Sequence, residues 1–219
     1  MEAWRITWFT VVCAAGATAL ALPPGAVLAW FLARRTFPGR TLVETVVSLP
    51  LVMPPVATGL ILLMLLSRRG SVGRVLERLG IEIVFTWKAV VLAMAIMGLP
   101  LLVRTAMAGF EQVNVRYERV AATLGASPAR VFLTISLPLA WPSVLAGAVL
   151  AFARALGEFG VTIIVAGSIP GATRTLAVAI YGYAETGQDA LAAALVLVST
   201  VIAFLALWTA NRLVQRGTA

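Results

Sequence analysis

An all-α bundle of membrane-spanning helices is the architecture this sequence predicts, and three observations predict it. Apolar residues make up 61% of the 219-residue chain and charged residues only 12%, with a mean hydropathy of +0.98, far from the balance of a soluble domain. The apolar residues gather into about five runs long enough to cross a hydrocarbon core roughly 30 Å thick. Eighteen glycines and eleven prolines fall largely inside those runs, as membrane helices tolerate. Residues 1–219 read as a single transmembrane domain.

The first run spans about 7–33, with Trp4, Trp8 and Trp30 near its ends, where indole rings favour the membrane interface. Pro23-Pro24-Gly25 predicts a kink within it. The run is too long for a cleavable signal peptide and ends at Arg34-Arg35 without a clear cleavage site. Cys13 stands alone in an apolar stretch and the chain has no histidine, so neither an intrachain disulfide nor a metal site is expected. Arg34, Arg35 and Arg40 then form a short basic loop.

The second run, about 42–66, holds Pro50, Pro54 and Pro55, which strip N–H donors from a helix and leave carbonyls unpaired. In a membrane that is tolerable only where the backbone is buried in protein or faces a wet cavity. A plain structural kink satisfies the same residues. Ser48, Thr58 and Gly59 on either side favour a segment that lines a pathway.

In the following loop, Arg74 with Glu77 and Arg78 with Glu82 have helical pair spacing. The third run, about 87–108, carries Gly98-Leu99-Pro100 as an expected break and Arg104 near its end. The fourth, about 139–165, places Arg154 and Glu158 four apart on one helical face. An ionisable pair at membrane depth points to function, although the two also neutralise each other at that spacing. Glycines at 157, 160, 167 and 171 would let backbone N–H groups approach an anion. Residues 182–189 read as a loop, and a fifth run spans about 190–208, followed by Asn211, Arg212 and Arg216.

Between the third and fourth runs, residues 114–130 mix polar and apolar side chains and predict two short helices meeting at a bend. Asn114 caps the first and Gly125 ends it in a left-handed conformation. Ser127 caps the second, with Pro128 at its first position, where a missing N–H costs nothing. Tyr117, Ala121 and Gly125 fall near one another, as do Val120 and Leu124, and such small residues let another backbone approach closely. The competing reading is an amphipathic helix lying on the membrane surface.

Gly125, nine further residues and Ile135-x-Leu137-Pro138, preceded by Ala121-Ala122, resemble the cytoplasmic coupling motif of ABC-importer membrane subunits. That family writes Glu-Ala-Ala, three residues, Gly, nine residues, Ile-x-Leu-Pro. Here Arg119 and Val120 stand at the Glu and first Ala positions, with Glu118 one residue early. The resemblance implies that Tyr117, Glu118, Ala121, Ala122, Gly125, Ala126 and Ser127 meet a cytoplasmic ATPase. Residues 153–171, with 36–40 and 49–55, resemble the molybdate/tungstate permeases of that family. Sulfate and thiosulfate permeases are related and share much of this block; room for only five spans favours molybdate. The resemblance therefore implies a bacterial inner-membrane subunit that receives an oxyanion from an extracytoplasmic binding protein.

Several function classes are excluded. The only lysine, Lys88, follows Ile83–Trp87, which contains no glycine, so the chain has no phosphate-cradling loop. It is not expected to be an enzyme or to bind a cofactor; ATP and Mg would be used by the partner ATPase. No Ser/His/Asp set or paired catalytic carboxylates are present. The net charge of +8 lies in short clusters beside apolar runs rather than along one stripe, against a nucleic-acid partner. An ion-coupled secondary transporter would need coupling-ion ligands and, usually, an even internal repeat. A membrane scaffold is the remaining alternative.

Five spans place the termini on opposite sides. With the coupling loop cytoplasmic, nine positive residues lie inside and seven outside, so the motif rather than the charge count sets the N-terminus outside and the C-terminus in the cytoplasm. Five helices are too few to enclose a pathway and still face lipid, which predicts a two-fold homodimer. An anion of charge −2 needs donors that do not trap it. Ser48, Pro54, Pro55, Thr58, Gly157 and Thr162 are therefore expected along the pathway, with Arg154 and Glu158 a structural pair.

Overall fold

A computed structural model describes residues 2–217, with side chains as far as Arg212. Its first helix, α1 (Glu2–Arg34), is unbroken for 33 residues, close to 50 Å at about 1.5 Å per residue. Pro23 and Pro24 sit inside it without ending it. The buried face is built from small side chains, among them Ala14, Ala17, Ala21 and Ala29.

The second run departs from the single span expected over 42–66. It forms α2 (Arg40–Val52) and α3 (Pro55–Leu66), whose axes bend by 112° at Met53-Pro54. Pro54 adopts an extended conformation and Pro55 takes the first position of α3, where its lost donor is harmless. The pair still carries the chain from one end of the bundle to the other. Arg40 lies beside Glu111, whereas Leu63 and Leu66 lie with residues 83–86, just before the next long helix.

A short helix, α4 (Ser71–Arg78), fills the connecting loop. The carboxylates expected to pair with Arg74 and Arg78 go instead to Arg68, at 3.6 Å for Glu77 and 2.6 Å for Glu82. The third run becomes α5 (Trp87–Gln112), longer than 87–108 and continuous through Gly98-Leu99-Pro100. Gly98 serves packing there: a Cβ on it would stand 3.0 Å from the Ala151 carbonyl oxygen.

Residues 115–131 form α6 (Val115–Thr123) and α7 (Pro128–Val131). A π-turn over Phe132–Ser136 leads into α8 (Leu137–Leu156), and the run from Pro128 to Leu156 is long and apolar enough to cross a membrane. Pro138 has no N–H, and the helix widens in the turn just before it, with Leu137 N–H donating to Phe132 O. The fourth span therefore lies earlier than 139–165. Gly157 ends it, and residues 160–165 form a separate short helix, α9 (Gly160–Val165).

Within the stretch between the last two spans lies α10 (Leu176–Glu185), which no expectation covered; the loop predicted over 182–189 shrinks to about 186–188. Its first N–H, from Leu176, donates to the buried Thr10 hydroxyl of α1 at 2.8 Å. The last helix, α11 (Asp189–Gly217), completes the bundle. Among the described residues four helices are long and apolar enough to span, or five with the bent α2–α3 pair. Arg216 lies outside the described side chains.

α5 and α8 form the central antiparallel pair, and glycines set their register. Added Cβ atoms would meet Ala151 from Gly98, Ser143 from Gly109, and Leu102 and Thr105 from Gly147. Backbones come this close because no side chain intervenes, the usual route to tight association in lipid. Gly25 of α1 closes onto Leu99 and Leu102 of α5 in the same way.

Candidate coupling and translocation sites

The α6–α7 segment follows its sequence signals. The Asn114 side chain accepts from Arg116 N–H at 3.0 Å, and Ser127 Oγ from Arg130 N–H at 3.4 Å. Gly125 has φ +84°, and Gly125 and Ala126 donate to the carbonyls of Ala122 and Ala121, each at 3.0 Å. These two bonds close the helix with a left-handed residue. None of α6 is buried; Tyr117, Val120 and Leu124 are 57%, 58% and 82% exposed. Ala122, Gly125 and Ser127 are exposed as well, and Ala121 and Ala126 half-buried. A mixed surface, with apolar Tyr117, Val120 and Leu124 beside the exposed Arg116, Arg119 and Arg130, is thus presented at one end of the bundle.

Glu118 faces the other way. Both its oxygens lie 2.9 Å from Arg34 Nε, and it accepts a further bond from Ser136 Oγ at 2.7 Å. Arg34 also donates to the Val113 carbonyl at 2.9 Å. The Arg34 and Glu118 side chains are only 9% and 11% exposed, so the carboxylate expected to meet a partner instead ties α6 to α1 and the π-turn. Sequence reasoning missed this because the partners lie 84 and 18 residues away.

The broken segments at membrane depth are brought together in part. A Cβ on Gly160 would strike Pro55, and one on Gly59 would lie 3.0 Å from Ile164 Cβ and 3.1 Å from Val161 Cα. The proline break of α2–α3 therefore seats directly on α9. Thr58 and Thr162 lie in these two helices, 8% and 0% exposed, with hydroxyls that have no hydrogen-bond partner among the described residues. Expected to line a pathway, they are buried inside the protomer in this conformation. Ser48 is elsewhere, accepting from Arg104 Nε at 3.1 Å. Gly157 is exposed in a cleft of about 500 Å³ between α8, α10 and α11. Pro54 and Pro55 are exposed at the bend. The six residues thus occupy three places rather than one lining.

Arg154 and Glu158 form an ion pair at 2.8 Å, but not on one continuous helix, because Gly157 intervenes. Glu158 is 1% exposed and its second oxygen accepts from Val161 N–H at 2.8 Å, capping α9. One carboxylate therefore neutralises an arginine and fixes the start of the next helix. The glycines at 167 and 171 have φ +70° and +76° and shape the following turn. The N–H groups of Ala172, Thr173 and Arg174 all donate to Ile169 O, so they are committed to the turn rather than to an anion.

The family described as "Binding-protein-dependent transport system inner membrane component" matches residues 25–218. The chain belongs to this family. As a member it is a multi-pass permease subunit of an ABC importer. Its curated relatives include the molybdenum transport system permease protein ModB of Escherichia coli (strain K12), 44% identical over 206 residues, 93% of this chain and 90% of that protein. The sulfate transport system permease protein CysT of Salmonella typhimurium is 35% identical over 192 residues, 88% of this chain and 69% of that one. Among solved structures, a bacterial ABC transporter that imports the acidic polysaccharide alginate superposes with a TM-score of 0.68 at 18% identity, covering 99% of this chain and 80% of that one. That likeness carries the fold of the permease subunit.

Proposed function

We propose that this chain is the molybdate-translocating membrane subunit of an ATP-driven importer, working as a homodimer with one ATPase subunit docked on each α6–α7 surface. The observation that carries the reading is the near full-length relationship to molybdenum permeases, at higher identity and coverage than to the sulfate permease. The chemistry of the chain supports the same reading. The chain has no phosphate-cradling loop, and α6 offers an exposed surface of apolar and basic side chains anchored from behind by Arg34, Glu118 and Ser136. A docked ATPase would grip a braced segment rather than a free loop.

On this reading the α6 end is cytoplasmic and the opposite end, where Glu2 meets Arg174 at 3.7 Å, faces a substrate-delivering binding protein. Thr58 and Thr162, buried without partners, are the hydroxyls that would become available when α3 separates from α9. Pro54 and Gly157 supply the non-helical backbone that permits such movement, and Pro55 starts α3 directly after the break. The test is uptake of labelled molybdate by the complex reconstituted with its ATPase and binding protein, in competition with tungstate and sulfate. Molybdate uptake displaced by tungstate and only weakly by sulfate is expected. Preferential sulfate uptake would transfer the assignment to the sulfate class.

A further inference from the structure

Two arginines lie within the apolar spans α5 and α8, and the protein treats them differently. Arg154 is neutralised by Glu158 at 2.8 Å. Arg104 sits on α5 eight residues before its end at Gln112, about 12 Å along the axis, and is exposed on the protomer. Among the described residues no carboxylate lies within ion-pair distance of it, and its guanidinium makes one hydrogen bond, from Nε to Ser48 Oγ. Ser48 is neutral, so the arginine keeps its full charge and its terminal amino groups remain uncommitted.

An arginine left like this against hydrocarbon is costly, and such residues in membrane helices face a wet cavity or a charged partner. Arg104 borders a recess of about 250 Å³ shared with Ser48, Glu44 and Glu111. Both carboxylates are already engaged by Arg40, at 2.7 and 3.7 Å. Among the described residues Arg104 is the one cation lining the recess, and the two carboxylates beside it are offset only by Arg40 behind them, so an anion meeting Arg104 is attracted locally without falling into a deep well. Conduction needs that balance, since a site that binds too well does not release.

We propose that Arg104, held in place by Ser48, contacts the translocated oxyanion on the α6 side of the pathway, with a tetrahedral dianion as the ligand class. This rests on the oxyanion-permease reading. It also changes the role expected for Ser48: the hydroxyl orients the arginine by accepting its Nε–H, and the guanidinium supplies the donors. A fork of N–H groups matches an oxyanion geometry that one hydroxyl cannot.

The experiment uses the complete reconstituted complex, comparing labelled molybdate uptake with binding-protein-stimulated ATP hydrolysis. Losing a charge-assisted contact, Arg104→Gln should reduce uptake about tenfold or more while hydrolysis changes less than about twofold. Arg104→Lys should retain much of the uptake, and Ser48→Ala should fall between. In a second measurement, Arg104→Cys is treated with a charged methanethiosulfonate reagent; the native Cys13 is 4% exposed, so background labelling is low. Slower labelling in the presence of molybdate supports the contact. Unchanged uptake in Arg104→Gln, or a proportional fall in uptake and hydrolysis without molybdate protection, would show that Arg104 only pins α5 to α2. If the wild-type complex carries no oxyanion, the proposed function fails, while rapid labelling at position 104 would still show that the position faces water.

Discussion

Glu158 carries two duties with one side chain. Its ion pair to Arg154 and its bond from Val161 N–H are each 2.8 Å long, and the residue is 1% exposed. Breaking a buried pair by removing one partner costs on the order of 3 kcal/mol, less here because Arg154 is 26% exposed and partly solvated. Glu158→Gln is therefore expected to lower the thermal midpoint of the detergent-solubilised subunit by several degrees. The double variant Arg154→Met/Glu158→Gln should recover part of that loss, because it removes the stranded cation while keeping an acceptor for α9. A double variant as unstable as the single one would mean that the cap, rather than the charge, is what matters. The four-residue spacing of Arg154 and Glu158 is compatible with the 2.8 Å ion pair. It could not reveal that a helix end lies between the partners, because that depends on α9 docking against α3.

At the scale of elements, α6–α7 was legible in detail because its signals are local. Asn114, Gly125, Ser127 and Pro128 each act on backbone within a few residues. A Cβ on Gly125 would meet nothing within 4 Å, so a side chain there is opposed by the left-handed φ of +84° alone, at about 1 kcal/mol. Gly125→Val should consequently leave membrane insertion intact while weakening co-purification of the ATPase and reducing transport. Normal uptake and normal ATPase recovery in this variant would remove α6–α7 from the coupling role.

The other elements show where local signals fail. Pro23, Pro24 and Pro100 stay inside continuous helices, whereas the prolines at 54 and 55 coincide with a 112° turn. The same residue type is tolerated or decisive according to what packs beside it. Gly160 lies against Pro55, and Gly98 lets α8 approach α5. α10 escaped notice because its anchor is the Thr10 hydroxyl, 166 residues away. The hydroxyls nominated for a pathway were chosen by sequence proximity to breaks; all three are buried, and Ser48 differs in accepting a bond from Arg104, whereas the Thr58 and Thr162 hydroxyls have no partner among the described residues.

For the whole molecule, the apolar runs were readable from hydropathy, since among the described residues four long helices and one bent pair correspond to the five runs. Much of the surface is apolar, with Leu42, Met64, Leu197 and Phe204 each more than 60% exposed. Some of that surface must face lipid, and a single protomer has few helices left to enclose an aqueous route. Two copies per complex are expected. Native mass measurement of the detergent-solubilised transporter checks this, and one permease copy in an active complex would rule out the symmetric arrangement.

The bracket formed by Arg34, Glu118 and Ser136 has a mechanical meaning. It fastens the short α6 to the foot of the longest helix and to the π-turn that begins α8. α1 and α8 are in turn locked to α5 through close small-residue contacts, among them Gly25 and Gly147. A force applied at α6 is thus delivered to a stiff block of three long helices rather than absorbed in a loop. The helical backbone is interrupted at Met53-Pro54 and at Gly157, where a hinge would cost no intrahelical hydrogen bonds. On the proposed reading, α6 is a handle on the rigid block, and each ATPase stroke is spent in turning that block against α3 and α9.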